Sequence, residues 1–311
     1  MRDRIVVLSG GVGGAKLVLG LERGGFGPVT AIVNTGDDFE HLGLRISPDI
    51  DTLLYTLSGK ANAAQGWGRE GESWNFMAVA RGLGAPDWFN LGDGDLALHV
   101  LRSAALRAGE PLSAIVARFA RSWGIAAAVL PMSDDPVATM IDSDAGLLAF
   151  QNYFVERRCA PAVRAIRFDG VEAARPAPGV IEAIGDPRNR AIVIAPSNPW
   201  LSVAPILAVP GMSEALRDAA APVVAVSPLV GGAAVKGPTA KIMGELGLPC
   251  DARAVAAHYH GLIDGMLIDE RDAPGDPDLA VMRIDTLMTT LEDRVRVAGA
   301  ALALADRIAS G

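Results

Sequence analysis

Cysteine is nearly absent from this chain. Cys159 and Cys250 are the two in 311 residues, and no CxxC spacing links them, which excludes a disulfide framework and a cysteine-based zinc site and fits a reducing compartment. Aromatic residues are equally sparse at 5%, and an excess of positive charge is missing: 28 Lys and Arg face 36 Asp and Glu, for a net charge of −8. A protein whose task is to neutralise a nucleic-acid backbone needs a basic face, so no nucleic-acid partner is expected. No run approaches the roughly 20 apolar residues of a membrane span. The opening "MRDRIVVLSGG" is interrupted by glycines before a signal-peptide core forms, so a cytoplasmic protein with no membrane partner is expected. No GxSxG elbow and no Cys–His signature suggests covalent catalysis. The histidines, His41, His99, His258 and His260, lack metal-ligand spacing.

What the chain does have is aliphatic. Half of its residues are hydrophobic, and short apolar runs recur at 4–10, 29–36, 126–132, 191–197 and 223–229 with helical patterns between them. Strands that look buried on both faces belong to parallel sheets covered by helices. The expected fold class is therefore α/β: a Rossmann-like parallel sheet flanked by helices, read as a single domain over 1–311. Helices are predicted at 15–23, 49–58, 95–108, 112–122, 211–219, 238–246, 252–260 and about 286–308. Residues 136–185 read as short strands around turns followed by a helix, a small α+β insert.

Several strands end in loops with chemical character. "SGGVGGAKL" places Gly10, Gly11, Gly13 and Gly14 between a strand and a helix, where backbone N–H groups can approach an anion. It matches neither a Walker A loop nor GxGxxG, and a tight strand-to-helix turn without ligand is the competing reading. Lys16 either reaches a phosphate or snorkels to solvent. "NTGDDFEHLGLRISPDIDT" carries Asp37, Asp38, Glu40, Asp49 and Asp51 within fifteen residues. Such oxygen ligands beside phosphates suit Mg²⁺, and Asn34 opens the loop as a further substrate-binding candidate. "SPDIDT" also reads as a helix start, with Ser47 as cap, Pro48 in the first turn and acids at the positive dipole end. "LPMSDDPV" sets Asp134 and Asp135 before a proline, as a ligand loop or a plain turn. "APSNPWLSV" presents Ser197 and Asn198 as rigid uncharged donors. "VSPLVGGAAVKGPTAKIM" adds Ser227, a glycine pair and Lys236 at a second strand-to-helix junction, suited to a second anion contact.

These segments, together with "LGDGDLALH" and "IDTLMTT", resemble in this order the 2-phospho-L-lactate transferases of deazaflavin coenzyme F(420) biosynthesis. The resemblance spans residues 9–290. It implies a homodimeric, Mg²⁺-dependent enzyme that moves a phosphorylated three-carbon acid from its guanosine diphosphate ester to the ribityl hydroxyl of the deazaflavin Fo, releasing GMP. The acid itself (lactate, enolpyruvate or glycerate) is left open. In the resembled family the second acid of "SPDxDT" serves the flavin side, which carries over to Asp51 as the catalytic residue, contacting the Fo hydroxyl or the metal with Asp37 or Asp38 assisting; Asp37, Asp38 and Asp51 are the candidate metal ligands. One position departs: the family's "LGDRD" arginine is Gly94 here, which leaves Arg45 or Arg69 to grip Fo, or a different seating of the acceptor. The alternatives are a regulatory nucleotide-sugar-binding protein of a related branch and an NAD-dependent dehydrogenase. The imperfect glycine fingerprint disfavours the second.

Overall fold

Seven short apolar strands meet in one sheet: β1 (Arg4–Ser9), β2 (Val29–Val33), β3 (Ala128–Pro131), β4 (Asn189–Ile194), β5 (Val223–Val226), β6 (Gly265–Asp269) and β7 (Ala280–Ile284). In this computed structural model, which describes residues 2–62, 64–235 and 237–311, their order is β7-β6-β5-β4-β1-β2-β3. Every neighbouring pair is parallel. The chain winds outward from β1 to β3, then returns to build β4 to β7 on the other side. The strand order therefore reverses between β1 and β4, and the crevice above their C-terminal ends is where ligands of open α/β sheets collect.

Both faces are covered, as the sequence predicts. Helices α1 (Gly11–Arg23), α2 (Pro48–Leu57) and α5 (Leu112–Ser122), with the terminal helix Leu291–Ser310, bury one face around Val7, Leu17, Leu54 and Leu302. Shorter helices bury the other around Leu8, Ile194, Ile206 and Val255. Two further helices, α3 (Asn75–Gly82) and α4 (Asp93–Arg107), follow α2. The insert contains a three-stranded antiparallel sheet of Ala138–Ser143, Gly146–Ala149 and Val163–Asp169, followed by a helix at Val180–Ile184. Among the described residues no helix is long and apolar enough to cross a membrane.

The predicted runs correspond to β1–β5, whereas β6, β7 and α3 are absent from the sequence reading. β7 is an edge strand that carries Arg283 and has no fully buried residue, so it lacks the apolar signature of a central strand. α3 buries Met77 alone. The terminal helix begins at Leu291 rather than near 286, because Thr290 and Asp293 form a reciprocal capping box.

The glycines after β1 serve close packing. A Cβ on Gly13 would lie 2.5 Å from the Pro196 carbonyl oxygen, and one on Gly14 would meet the Ser9 and Ser197 hydroxyls at 2.4 and 2.8 Å. This contact presses α1 onto the loop after β4 and thereby closes the floor of the crevice. Gly13→Ala is accordingly expected to lower stability by about 1–3 kcal/mol in urea denaturation through overpacking. Gly82→Ala, in the open at the end of α3, is expected to be neutral or stabilising by up to ~1 kcal/mol.

Candidate active site

A cleft of about 490 Å³ opens over the switch point. Its floor joins the loops after β1 and β4: the Ser197 hydroxyl donates to the Gly10 carbonyl at 2.7 Å, and the Gly10 N–H lies 3.0 Å from the same oxygen. The loop after β5 contributes Ser227 and Pro228, and the segment after β7 contributes Thr286 to Met288. Buried Asp269 fixes that last segment by accepting from the Thr286 N–H (2.8 Å) and hydroxyl (3.0 Å). Lys16 spans the floor to donate to the Met288 carbonyl at 2.6 Å. Asn198 caps the turn that follows it, accepting from the Trp200 and Leu201 N–H groups, and its amide donates to Thr239.

Four aspartates are buried along one side of the cleft: Asp37, Asp38, Asp49 and Asp51. Each has a different environment. Asp49 reaches back to α1, where one oxygen accepts from the Gly11 N–H at 2.7 Å and the other from the Asn34 amide at 3.0 Å. A carboxylate thus sits on the helix N-terminus, where N–H groups and the dipole favour negative charge. Asp38 accepts from the Ser47 hydroxyl at 2.6 Å and pairs with Arg45 at 3.5 Å. Ser47 therefore does not cap α2 with its side chain, as its sequence context suggests, although Pro48 does open the helix. Asp51 is gripped through both oxygens by the guanidinium of Arg102, which is fully buried. Asp37 faces the cleft with one hydrogen bond to its carboxylate, from the Asn34 amide at 3.2 Å.

This crowding shifts Asp37, Asp38 and Asp49 upward. Burial, reinforced by the charges of Asp49 and Asp38, raises the Asp37 carboxyl well above its ordinary value. Burial also raises Asp38 to about 7 against the pull of Arg45 and Ser47, and Asp49 to about 6 against that of Asn34 and Gly11. Low-dielectric surroundings disfavour the charged form unless positive charge compensates it. Arg102 places a positive charge against Asp51. Among the described residues Asp37 forms no such ion pair.

Helix α4 adds a polar stripe that the sequence reading misses. Asp95, His99 and Arg102 fall at i, i+4 and i+7 on one helix face. His99 is buried, with Nε2 3.1 Å from Asp95 and Nδ1 3.7 Å from Asp51. Tyr55 donates to Asp95. Burial alone would raise the Asp95 carboxyl, but the nearby His99 ring, with Tyr55 and Arg102, holds it below the ordinary range. The signal for this stripe was present as three polar residues at helical spacing among alanines and leucines.

Of the residues singled out from sequence, Gly10, Gly11, Gly13, Lys16, Asp37, Asp51, Ser197, Asn198 and Ser227 line the cleft. Gly14, Asn34 and Asp38 lie behind it as supports. Asp134 is elsewhere: its carboxylate takes the Ser113 N–H and hydroxyl at 2.6 and 2.7 Å, holding the start of α5 beside a separate cavity of about 230 Å³. Lys236 lies outside the described residues. No group of three or more His, Cys, Asp or Glu converges as a metal cage among the described residues. Mg²⁺ needs no such cage, since it commonly joins one or two carboxylates to substrate phosphates. Asp37, buried, facing the cleft and short of compensating charge, is suited to that demand, with Asp49 beside it.

Three comparisons place the chain among known proteins. The family described as "2-phospho-L-lactate transferase CofD" matches residues 5–296. The "Phosphoenolpyruvate transferase" of Streptomyces griseus is 43% identical, covering 98% of this chain and 99% of the relative. That of Mycolicibacterium smegmatis is 38% identical, covering 97% and 98%. The crystal structure of protein BH3568 from Bacillus halodurans superimposes with a TM-score of 0.64 at 17% identity, covering 98% and 99% of the two chains, a likeness of fold.

The raised acid Asp38 has a measurable sign. Its folded value of about 7 exceeds the unfolded value of about 3.9, so the folded state holds more protons between them. The stabilisation present below the unfolded value is lost as pH rises through the folded one. In metal-free melts, Asp38→Asn should therefore gain on the wild type steadily between pH 4.5 and 8. A pH-independent difference between the two melting temperatures would contradict this assignment.

Proposed function

The chain belongs to the 2-phospho-L-lactate transferase CofD family, and from that membership we propose that it transfers a phosphorylated three-carbon acid from a guanosine diphosphate ester to the ribityl hydroxyl of the deazaflavin Fo. The observation that carries this reading is the meeting of three loops, after β1, β4 and β5, with Asp37, Asp49 and Asp51 in a single cleft. Phosphoenolpyruvate is the favoured acid, following the names of the relatives.

The acceptor oxygen attacks the phosphorus that bears the acid, and the bond from that phosphorus to the oxygen bridging the two phosphates breaks. GMP leaves, and a phosphodiester joins the acid to the acceptor. Asp51 accepts the hydrogen bond of the acceptor hydroxyl and takes its proton as the new bond forms. Arg102 fixes both oxygens of Asp51 and balances its charge, so the carboxylate stays in one orientation. The N–H groups and hydroxyls of the floor, with Ser197 and Ser227, orient the diphosphate. A Mg²⁺ ion held by Asp37, with Asp49 beside it, would supply charge neutralisation for the diphosphate and its leaving group. Asp38 supports this set from behind through Ser47 and Arg45. Phosphoryl transfer of this kind relies on positioning and electrostatics more than on covalent chemistry.

Incubation with Fo, guanylylated phosphoenolpyruvate and Mg²⁺ is expected to release GMP in step with a phosphodiester product. Asp51→Asn is expected to lower kcat about 10²–10⁴-fold, the usual range for loss of a positioned base. Unchanged turnover of that variant at saturating Mg²⁺ would remove Asp51 from the reaction. Absence of GMP release by the wild type, alongside tight binding of a uridine nucleotide sugar, would favour a regulatory role instead.

A further inference from the structure

Gly94, the second residue of α4, has no free space above it. A Cβ built there would lie 2.3 Å from Arg69 Nη1 and 2.9 Å from Arg69 Cζ, so the guanidinium occupies the place where a side chain at 94 would begin. Glu72 locks the arrangement: one carboxylate oxygen accepts from the Gly94 N–H at 2.6 Å, and the other lies 3.2 Å from Arg69 Nη1. That same nitrogen also lies 3.4 Å from the Glu70 carbonyl. Nε and Nη2 of Arg69 have no hydrogen-bond partner among the described residues, and the side chain is 32% exposed. A guanidinium whose position is fixed through one nitrogen, with its other donors free, is prepared for an acceptor of hydrogen bonds.

Arg69 and Gly94 are not lining residues themselves but adjoin the cleft through their chain neighbours. Gly68, the residue before Arg69, and Asp95, the residue after Gly94, both line it. Trp67, on the same loop, lines it as well while remaining 52% exposed. An exposed indole face beside a fixed guanidinium suits a planar ring system that carries oxygen acceptors, which stacks on the one and hydrogen-bonds to the other. This end of the cleft also holds Tyr55, Asp95 and Asp51. In the transfer proposed above, on which this inference rests, that is the acceptor's side.

We propose that Arg69, seated over Gly94, binds an oxygen of the acceptor's planar deazaflavin ring, and that glycine at 94 is what admits the guanidinium to that place. The backbone at 94 is helical and its φ is negative-side, so alanine there is free of backbone strain. Its methyl group alone would displace Arg69.

The test is a fluorescence titration of Fo into the wild type, Arg69→Ala, Gly94→Ala and the double variant, with melting curves to confirm folding and donor KM measured in turnover. Loss of a charge-assisted hydrogen bond is expected to weaken Fo binding by roughly 10-fold or more in Arg69→Ala. Gly94→Ala should weaken it comparably, the double variant should be no more than about twofold worse than Arg69→Ala, and donor KM should stay put. Fo affinity unchanged in folded Arg69→Ala would overturn the proposal, as would multiplying effects in the double variant or a shift in donor KM in place of Fo affinity. A wild type that neither binds Fo nor releases GMP would instead count against the transferase reading itself, and this inference would fall with it.

Discussion

Negative charge confined to a small buried volume is the constraint around which this molecule is arranged. Asp37, Asp38, Asp49 and Asp51 are all nearly inaccessible, and buried carboxylates are costly unless hydrogen bonds, positive charge, a metal ion or a proton offsets them. The compensation comes from distant parts of the chain: the first turn of α1 for Asp49, Ser47 and Arg45 for Asp38, and Arg102 of α4 for Asp51. Those contacts tie the loop after β2 to helices on either side. Asp37 is the member left facing the cleft with an amide as its carboxylate's hydrogen-bond partner.

The fold supports this cluster through its topology. Reversal of strand order between β1 and β4 opens a crevice at the ends of the central strands, and the packing of Gly13 and Gly14 against the loop after β4 makes its floor tight. The glycine-rich loop therefore has a structural task as well as a position beside the cleft. Its first-turn N–H at Gly11 already holds an anion, the Asp49 carboxylate. In the proposed reaction, the donor diphosphate is oriented by the surrounding loops and not by the glycine loop alone.

Much of this was legible in the sequence, because the central strands are nearly continuous apolar runs and the polar loops that end them stand out against them. The class of fold, strands β1–β5, the α+β insert and the glycine, serine and aspartate residues at the cleft floor follow from that contrast. What was not legible depends on contacts between segments far apart in sequence. Arg102 and His99 sit inside an alanine- and leucine-rich helix, where a polar residue ordinarily points to solvent, and only the packing of α4 against the Leu44–Ile46 strand and α5, with Asp51 waiting beneath, turns them inward. The sequence left Asp134 open between a ligand loop and a plain turn, and only the folded chain shows that its carboxylate meets the first turn of α5, away from the cleft. Edge strand β7 carries too few buried residues to announce itself.

The central claim is that the uncompensated acid Asp37 exists to hold a divalent cation against the substrate's phosphates. Anomalous diffraction from crystals grown with Mn²⁺ in place of Mg²⁺ and a guanosine diphosphate ester in the cleft tests it most directly. The account predicts a manganese peak at Asp37, within reach of Asp49 and a phosphate oxygen, that disappears in Asp37→Asn. A cleft filled by the ester with no manganese peak at Asp37, or a peak retained in Asp37→Asn, would contradict it.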